Sequence, residues 1–390
     1  MRTEHWERAI ILLDMDSFFA SVEELDNPNV SGGAISVTNG LHGNTIITCS
    51  YKARQYGVHT GMPLYKARIL CPDLINFPAR HKRYSLLSNK IMQYIRENVS
   101  PDIEEFSIDE AFIDVTKCQA HIGSIKQIAN KLQRKIYEKF GLKASLGISG
   151  DKTTAKHAVK LAKPFGIKIV RPADSGQFLA NVPVVDICGI SIKISDFLAK
   201  HNVYKCSDMS KIQQEVVTQK YGVTGARIWL MCQGLDPSNV KHNYRNAKTM
   251  GHGKILPPNI KDKNIILYYF AHMVAKLMRR MRVNNFYSDY FLIAMRAKNK
   301  KWFKDKVKLT ISNNSQHGLM NLVKLFIEKN WHSDCITQVQ ITALRLCSSK
   351  QIDILDSNCK VKRLNRVIDA INTKYDNNCI TYARIISPIE

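Results

Sequence analysis

Three acidic residues stand near predicted strand ends. Asp14 closes the apolar run AIILLD, and Asp109 and Glu110 lie side by side in EEFSIDEAFIDVT. Carboxylates that converge from separate strands suit hard divalent cations, which prefer a few carboxylates, phosphate oxygens and water. Two such ions about 3.5–4 Å apart can activate an attacking hydroxyl and neutralise a departing pyrophosphate, the needs of phosphoryl transfer. Acidic residues at strand ends are also commonly plain solvated groups. The carboxylates by themselves leave both readings open.

The elements that must position them follow from period and punctuation. Residues 9–15 (AIILLDM) predict a buried strand, and SFFASVEEL, 17–25, follows at helical spacing. Residues 34–38 and 45–49 predict strands with glycine-rich punctuation between them. Residues 51–70 predict two short helical pieces, split at Gly57 and at Gly61-Met62-Pro63. A longer amphipathic helix is expected over 81–98. A hairpin is expected over 103–116, with Ser107 to Glu110 near its bend. Then come a helix over 124–140, a strand over 143–150 and a helix over 153–163, stopped by Pro164 and Gly166. Strand, helix, paired strands, helix, strand is a ferredoxin-like order, and 23–81 reads as an inserted lobe.

Residues 173–240 look helical. Within them, residues 184–209 predict a helix–hairpin–helix, whose turn presents backbone N–H groups to a DNA phosphate. Ser191 replaces the second glycine of the usual turn. Residues 241–250 read as a basic linker. From 249 to 346 the pattern is β-α-β-β-α-β: a strand to Leu256, a helix 263–283, strands 288–297 and 304–312, a helix 316–330 and a strand 336–346.

Charge points to the partner. The chain of 390 residues has 57 Lys and Arg against 33 Asp and Glu, a net +24. Such a balance favours a polyanion, nucleic acid first. Within 241–346 there are 20 Lys and Arg against 5 Asp and Glu. That unit, densest in KNKKWFKDKVK at 298–308, is expected to grip nucleic acid. No basic amphipathic helix has the apolar face that lying on a bilayer needs. No run of about 18 apolar residues occurs, so no membrane span is expected. The ten cysteines form no C-x-x-C pair and read as free thiols in a reducing cytosol. A soluble, cytoplasmic protein is expected.

At this point the sequence resembles the Y-family DNA polymerases, the group of DNA polymerase IV and the polymerase V catalytic subunit. LLDMDSFFASVEE, 12–24, and EFSIDEAFIDVT, 105–116, look like the family's first two motifs. YKARQYGVHTGMP, 51–63, and LAKPFGI, 161–167, match two more, in the family's order and spacing. The resemblance covers essentially the whole chain, most strongly 9–190. It implies an α+β, multidomain, right-hand polymerase. A ferredoxin-like palm would span 1–22 and 82–172, small fingers 23–81, and a helix–hairpin–helix thumb 173–240. A linker at 241–250 would lead to a βαββαβ little finger, 251–346, and a tail, 347–390.

Carried over residue by residue, Asp14 and Asp109 would ligate two Mg²⁺ ions, with the backbone carbonyl of Met15. Glu110 would complete the cation site nearest the primer 3′-end. Asp16 matches a position that the family does not use as a ligand, and reads as structural. Ser17 and Phe18 would offer backbone N–H groups to the triphosphate at a helix start. Tyr51, Arg54 and Lys163 match phosphate grips. Phe19 would be the steric gate against a ribose 2′-hydroxyl, although beside Phe18 it also reads as a core aromatic. The implied activity is low-fidelity, template-directed addition of dNTPs to primer-template DNA across damage, by a monomer without a proofreading nuclease.

In the tail, Gln351-Ile352-Asp353-Ile354-Leu355 looks like a loose form of the sliding-clamp-binding peptide Q-L-x-L-F. One polar anchor and the apolar Ile352, Ile354 and Leu355 would enter a pocket. Residues 363–385 predict an amphipathic helix and a short strand. Two other readings are a palm-type nucleotide cyclase, which lacks its G-G-[DE]-E-F bend here, and a DNA-binding clamp associate with a dead palm. Primer extension with Mg²⁺ separates the three.

Overall fold

The computed structural model describes residues 6–40, 44–241, 247–348, 359–375 and 379–381. The chain divides into two compact units, Met1–Tyr244 and Arg245–Glu390.

The first unit is built on a five-stranded sheet in the order Ile103–Glu105, Glu110–Asp114, Ile10–Met15, Ala144–Ser149, Ile167–Ile169. The central strand Ile10–Met15 is buried along its whole length, as an apolar run without alternation requires. Its odd residues Ile11, Leu13 and Met15 face helices His81–Asn98 and Ile125–Phe140 in the main core. Its even residues Ile10 and Leu12 pack with Phe112 against Ala155 and Val159 of helix Lys152–Ala162. That helix lies directly on strand backbone. A Cβ built on Gly147 would overlap the Ala155 carbonyl and the Val159 amide.

The inserted lobe is a three-stranded sheet, Ile46–Cys49, Ile35–Thr38, Ile75–Pro78, with helices Tyr51–Gln55 and Leu64–Leu70. Arg80 ties its exit to the first helix, Phe18–Asp26. The guanidinium donates to Glu23 at 3.0 and 2.7 Å and to Asp26 at 2.8 Å. Ser124 and Gln127 form a capping box at the start of helix Ile125–Phe140.

Two differences from the sequence reading stand out in this unit. Strand Ile167–Ile169 adds a fifth, parallel strand beyond the proline stop. Residues 184–209 do not form a full helix–hairpin–helix, because the leading helix is a single 3₁₀ turn, Val184–Asp186. Pro183 and a β-branched run give that segment little helical propensity. Gly189 makes the turn at φ +99°. Ser191 then caps helix Ile192–Ala199 by accepting from the Ile194 amide.

The second unit is β-α-β-β-α-β, with sheet order Trp302–Asn313, Ser288–Ala297, Ile336–Ala343, Met250–Ile260. Helices Lys263–Val283 and Gln316–Asn330 share one core with the inward residues Phe291, Ile293, Met295, Val339 and Ile341. Strand Met250–Ile260 runs past its expected end at Leu256, whereas the last strand stops at Ala343. Helix Cys359–Lys374 follows, tied back by a bidentate pair between Arg282 and Asp369 at 2.5 and 2.9 Å. Among the described residues no strand follows this helix, and 382–390 lie outside them.

Candidate active site and nucleic-acid interface

Side-chain parity builds the site. Asp14 shares the even face of the central strand and is the cross-strand partner of Glu110, next in register to Leu13 and Ala111. The Met15 amide donates to the Asp109 carbonyl at 2.9 Å, closing the hairpin bend against the strand end. Asp14, Met15, Asp109 and Glu110 therefore border one cleft of about 250 Å³, with Ser17, Phe18, Phe19, Arg54 and Lys163. Ile47, Thr48 and Thr60 of the inserted lobe face the same space.

Each carboxylate has its own partner. Lys163 Nζ lies 2.7 Å from Asp14, Lys156 Nζ lies 2.6 Å from Glu110, and Ser107 Oγ donates to Asp109 at 2.6 Å. Among the described residues no three acidic, histidine or cysteine side chains close on one point. Burial is the main influence on Asp14 and pushes its carboxyl up to about 7, against the pull of Lys163 and helped by Glu110 and Asp109.

The donor set suits a hard divalent cation: carboxylate oxygens from adjoining strands, against which ammonium groups already stand as positive stand-ins. The buried Ser17 hydroxyl, beside the same cleft, has no hydrogen-bond partner in the protein. Ser17 itself takes a left-handed conformation, φ 46°, which turns the strand end into helix Phe18–Asp26.

Phe18 is a core residue, packed edge-on to Tyr84. Phe19 borders the cleft and stacks on Tyr84 with centroids 4.2 Å apart and planes at 15°. The Tyr84 hydroxyl donates to the buried Glu23 at 2.5 Å, so the Phe19 ring rests on a pinned support.

Asp16 turns away from this cleft. It accepts from Ser145 Oγ at 2.9 and 3.1 Å, from Tyr51 Oη at 3.1 Å and from the Phe165 amide at 2.8 Å. Tyr51 thus borders a neighbouring cavity rather than the cleft. Burial first, then Asp16, pushes its hydroxyl above the usual phenol range. Arg54 lies 4.8 Å over the Tyr51 ring, on a helix capped by Ser50.

Sequence reasoning missed Lys156, Tyr84, Thr48 and Thr60. Lys156 had a readable signal, since it falls one helical turn after Lys152 and seven residues before Lys163.

In the second unit, alternation sorts strand Trp302–Asn313 into an inward row, Phe303, Val307 and Leu309, and an exposed row, Lys304, Lys306 and Lys308. Across the ladder Tyr290, Arg296, Gln338 and Thr342 lie on the same outer face. Arg296 and Lys304 lie 5.8 and 5.1 Å from the Trp302 ring. This is a basic sheet face interleaved with aromatic rings. Residues 351–355 lie outside the described residues. Among the described residues no helix is long and apolar enough to cross a membrane.

Residues 13–160 match the impB/mucB/samB family. A DNA polymerase IV from Pasteurella multocida is 33% identical over 71% of this chain and 78% of its own length. One from Moorella thermoacetica is 28% identical over 95% of this chain and 94% of its own. One from Legionella pneumophila is 33% identical over 70% of this chain and 77% of its own. Among solved structures, a Y-family DNA polymerase chimera, Dbh-Dpo4(243-245)-Dbh, superposes with a TM-score of 0.76 at 24% identity. It covers 87% of this chain and all of that one, and shows the shared fold. The chain belongs to the Y family of DNA polymerases. Each of the curated relatives named here is a DNA polymerase IV.

Proposed function

We propose that the cleft receives a deoxynucleoside triphosphate paired to a template base, and that Asp14, Asp109 and Glu110, with the Met15 carbonyl, hold two Mg²⁺ ions beside it. The chain is a template-directed DNA polymerase of low fidelity, a translesion enzyme that depends on divalent metal. One observation carries the residue assignment: Asp14 pairs with Glu110 across the strands at a cleft that Phe19, Arg54 and Lys163 also border.

When bound, the ions supply activation of the 3′-hydroxyl and neutralisation of the pyrophosphate. The chain supplies the rest. Arg54 offers a fork and Lys163 a point charge to the phosphates, and Ser17 and Phe18 offer backbone N–H groups at a helix start. Tyr51, whose one hydroxyl proton goes to Asp16, braces the inserted lobe beside this grip and is not part of it. Phe19, braced by Tyr84, fills the space beneath the sugar and rejects a 2′-hydroxyl. Loose closure by the small lobe leaves discrimination chiefly to base pairing.

We assign 1–22 and 82–172 to the palm, 23–81 to the fingers, 173–240 to the thumb, 251–346 to the little finger and 347–390 to the tail. The row Lys304, Lys306, Lys308 grips DNA phosphates. Gln351, Ile352, Ile354 and Leu355 engage a sliding clamp. The enzyme works as a monomer in the cytoplasm.

Primer extension with Mg²⁺ over a panel of damaged templates tests the reading, with Asp109→Ala as control. Extension by the wild type and none by the variant is expected. An Asp109→Ala enzyme as fast as the wild type overturns the site.

A further inference from the structure

Helix Lys152–Ala162 directs ammonium groups at the acidic face of the sheet. Lys152 Nζ lies 2.7 Å from Glu104, and Lys156 Nζ lies 2.6 Å from Glu110. Lys163, just past the helix, lies 2.7 Å from Asp14. Glu104, Glu110 and Asp14 share one face of adjoining strands, which is why lysines on one helix and just past its end reach all three. Two of those carboxylates are the proposed metal ligands, so the inference rests on that reading. Lys163 has a phosphate to bind in it. Lys156 has no task there, yet it is well held. Its side chain is only 19% exposed, and its ammonium lies 4.3 Å over the Phe106 ring.

We propose that Lys156 is a positioning residue that holds Glu110 in the resting enzyme and competes with the incoming divalent cation for it. The ammonium supplies the positive charge that Glu110 needs beside Asp14 and Asp109. A divalent ion and an ammonium at the same carboxylate repel each other strongly, and more so where water is partly excluded. Loading the site therefore means prising Lys156 from Glu110. Its place in mid-helix and the Phe106 ring keep it close enough to return when the ion leaves. The lysine thereby lowers the affinity of the free enzyme for metal.

A purely structural lysine predicts the opposite sign. Its loss would disorder Glu110 and weaken metal binding.

The test is a Mn²⁺ titration of the full chain without DNA, with free ion read by electron paramagnetic resonance. Lys156→Gln is expected to bind Mn²⁺ about fivefold more tightly, the scale of a partly exposed ion pair. Lys156→Arg, which restores the competing cation, is expected to return near the wild-type value. The half-saturating metal concentration for primer extension should fall in parallel with Lys156→Gln. If melting curves show Lys156→Gln unfolded, Phe106→Leu removes the ring beneath the ammonium, and about twofold tighter binding is expected. Unchanged or weaker binding in the folded variant overturns the role of Lys156. Asp109→Ala runs alongside and should abolish tight Mn²⁺ binding. If it does not, the carboxylate site itself falls and the proposal with it.

Discussion

Tyr51 donates its hydroxyl to the buried carboxylate of Asp16 at 3.1 Å, which ties the inserted lobe to the strand that ends at the cleft. The same carboxylate collects Ser145 and the Phe165 amide, so one acid joins four segments. Asp14, two residues earlier, points instead into the cleft.

These two acids should therefore fail differently. Asp16→Ala strands buried donors and should cost about 2–4 kcal/mol of stability. Asp14→Asn should keep the wild-type melting point or exceed it, yet lose extension by at least ~100-fold. Thermal melts and single-turnover extension separate them. Equal loss of stability in both variants would contradict the division of roles.

Phe19 stacks on Tyr84, which Glu23 holds. Phe19→Ala should lower the preference for dNTP over rNTP by at least ~10-fold, measured as the ratio of kcat/KM values. A preference equal to the wild type removes Phe19 from the gate.

The exposed row Lys304, Lys306, Lys308 should act through phosphates. Lys306→Ala should weaken DNA binding alike for unrelated sequences, and reduce the slope of log Kd against log salt by ~0.9. An unchanged slope means that this face does not touch the backbone.

Asp151 caps helix Lys152–Ala162 through one oxygen, 2.9 Å from the Thr154 amide, while its other oxygen is buried without a partner in the protein. Burial, with repulsion from Asp236, pushes its carboxyl up to about 6. The folded chain thus holds this proton more tightly than the unfolded chain, where an aspartate titrates near ~3.9. Its contribution is full below that value and is lost as pH rises through about 6, at most ~3 kcal/mol. Asp151→Asn keeps the cap. Its melting point should gain on the wild type between pH 5 and pH 8, and a constant gap would refute the assignment.

Deleting 351–355 should abolish stimulation by the sliding clamp and leave unassisted extension intact. Stimulation that survives the deletion rules the peptide out.

Much of this was legible beforehand because period and punctuation agreed. Helix His81–Asn98, strand Ser288–Ala297 and helix Gln316–Asn330 fall on their expected residues, where long amphipathic runs end at clear breakers. Strand Ile167–Ile169 was hidden because three residues after a proline carry no measurable alternation. The expected first helix of 184–209 is only a 3₁₀ turn, because the turn glycine is a strong signal and the β-branched segment before it a weak helix former. In the site, the acids and Phe19 were readable from their motifs. Tyr84 was not, since it acts through Phe19 on another helix. The spacing of Lys156 was readable, but its partner Glu110 is set only by the packing of helix on sheet.

That packing depends on Gly147, whose bare backbone lets helix Lys152–Ala162 settle onto the strand. The reach of two ammonium groups to two acids is thus measured out by a methyl group that is not there. A small hydrocarbon added at that spot, uncharged and remote from solvent, would raise the floor under the helix and lift both lysines. A mutational screen confined to polar cleft residues would pass it by, and the resulting defect would look like one of metal handling.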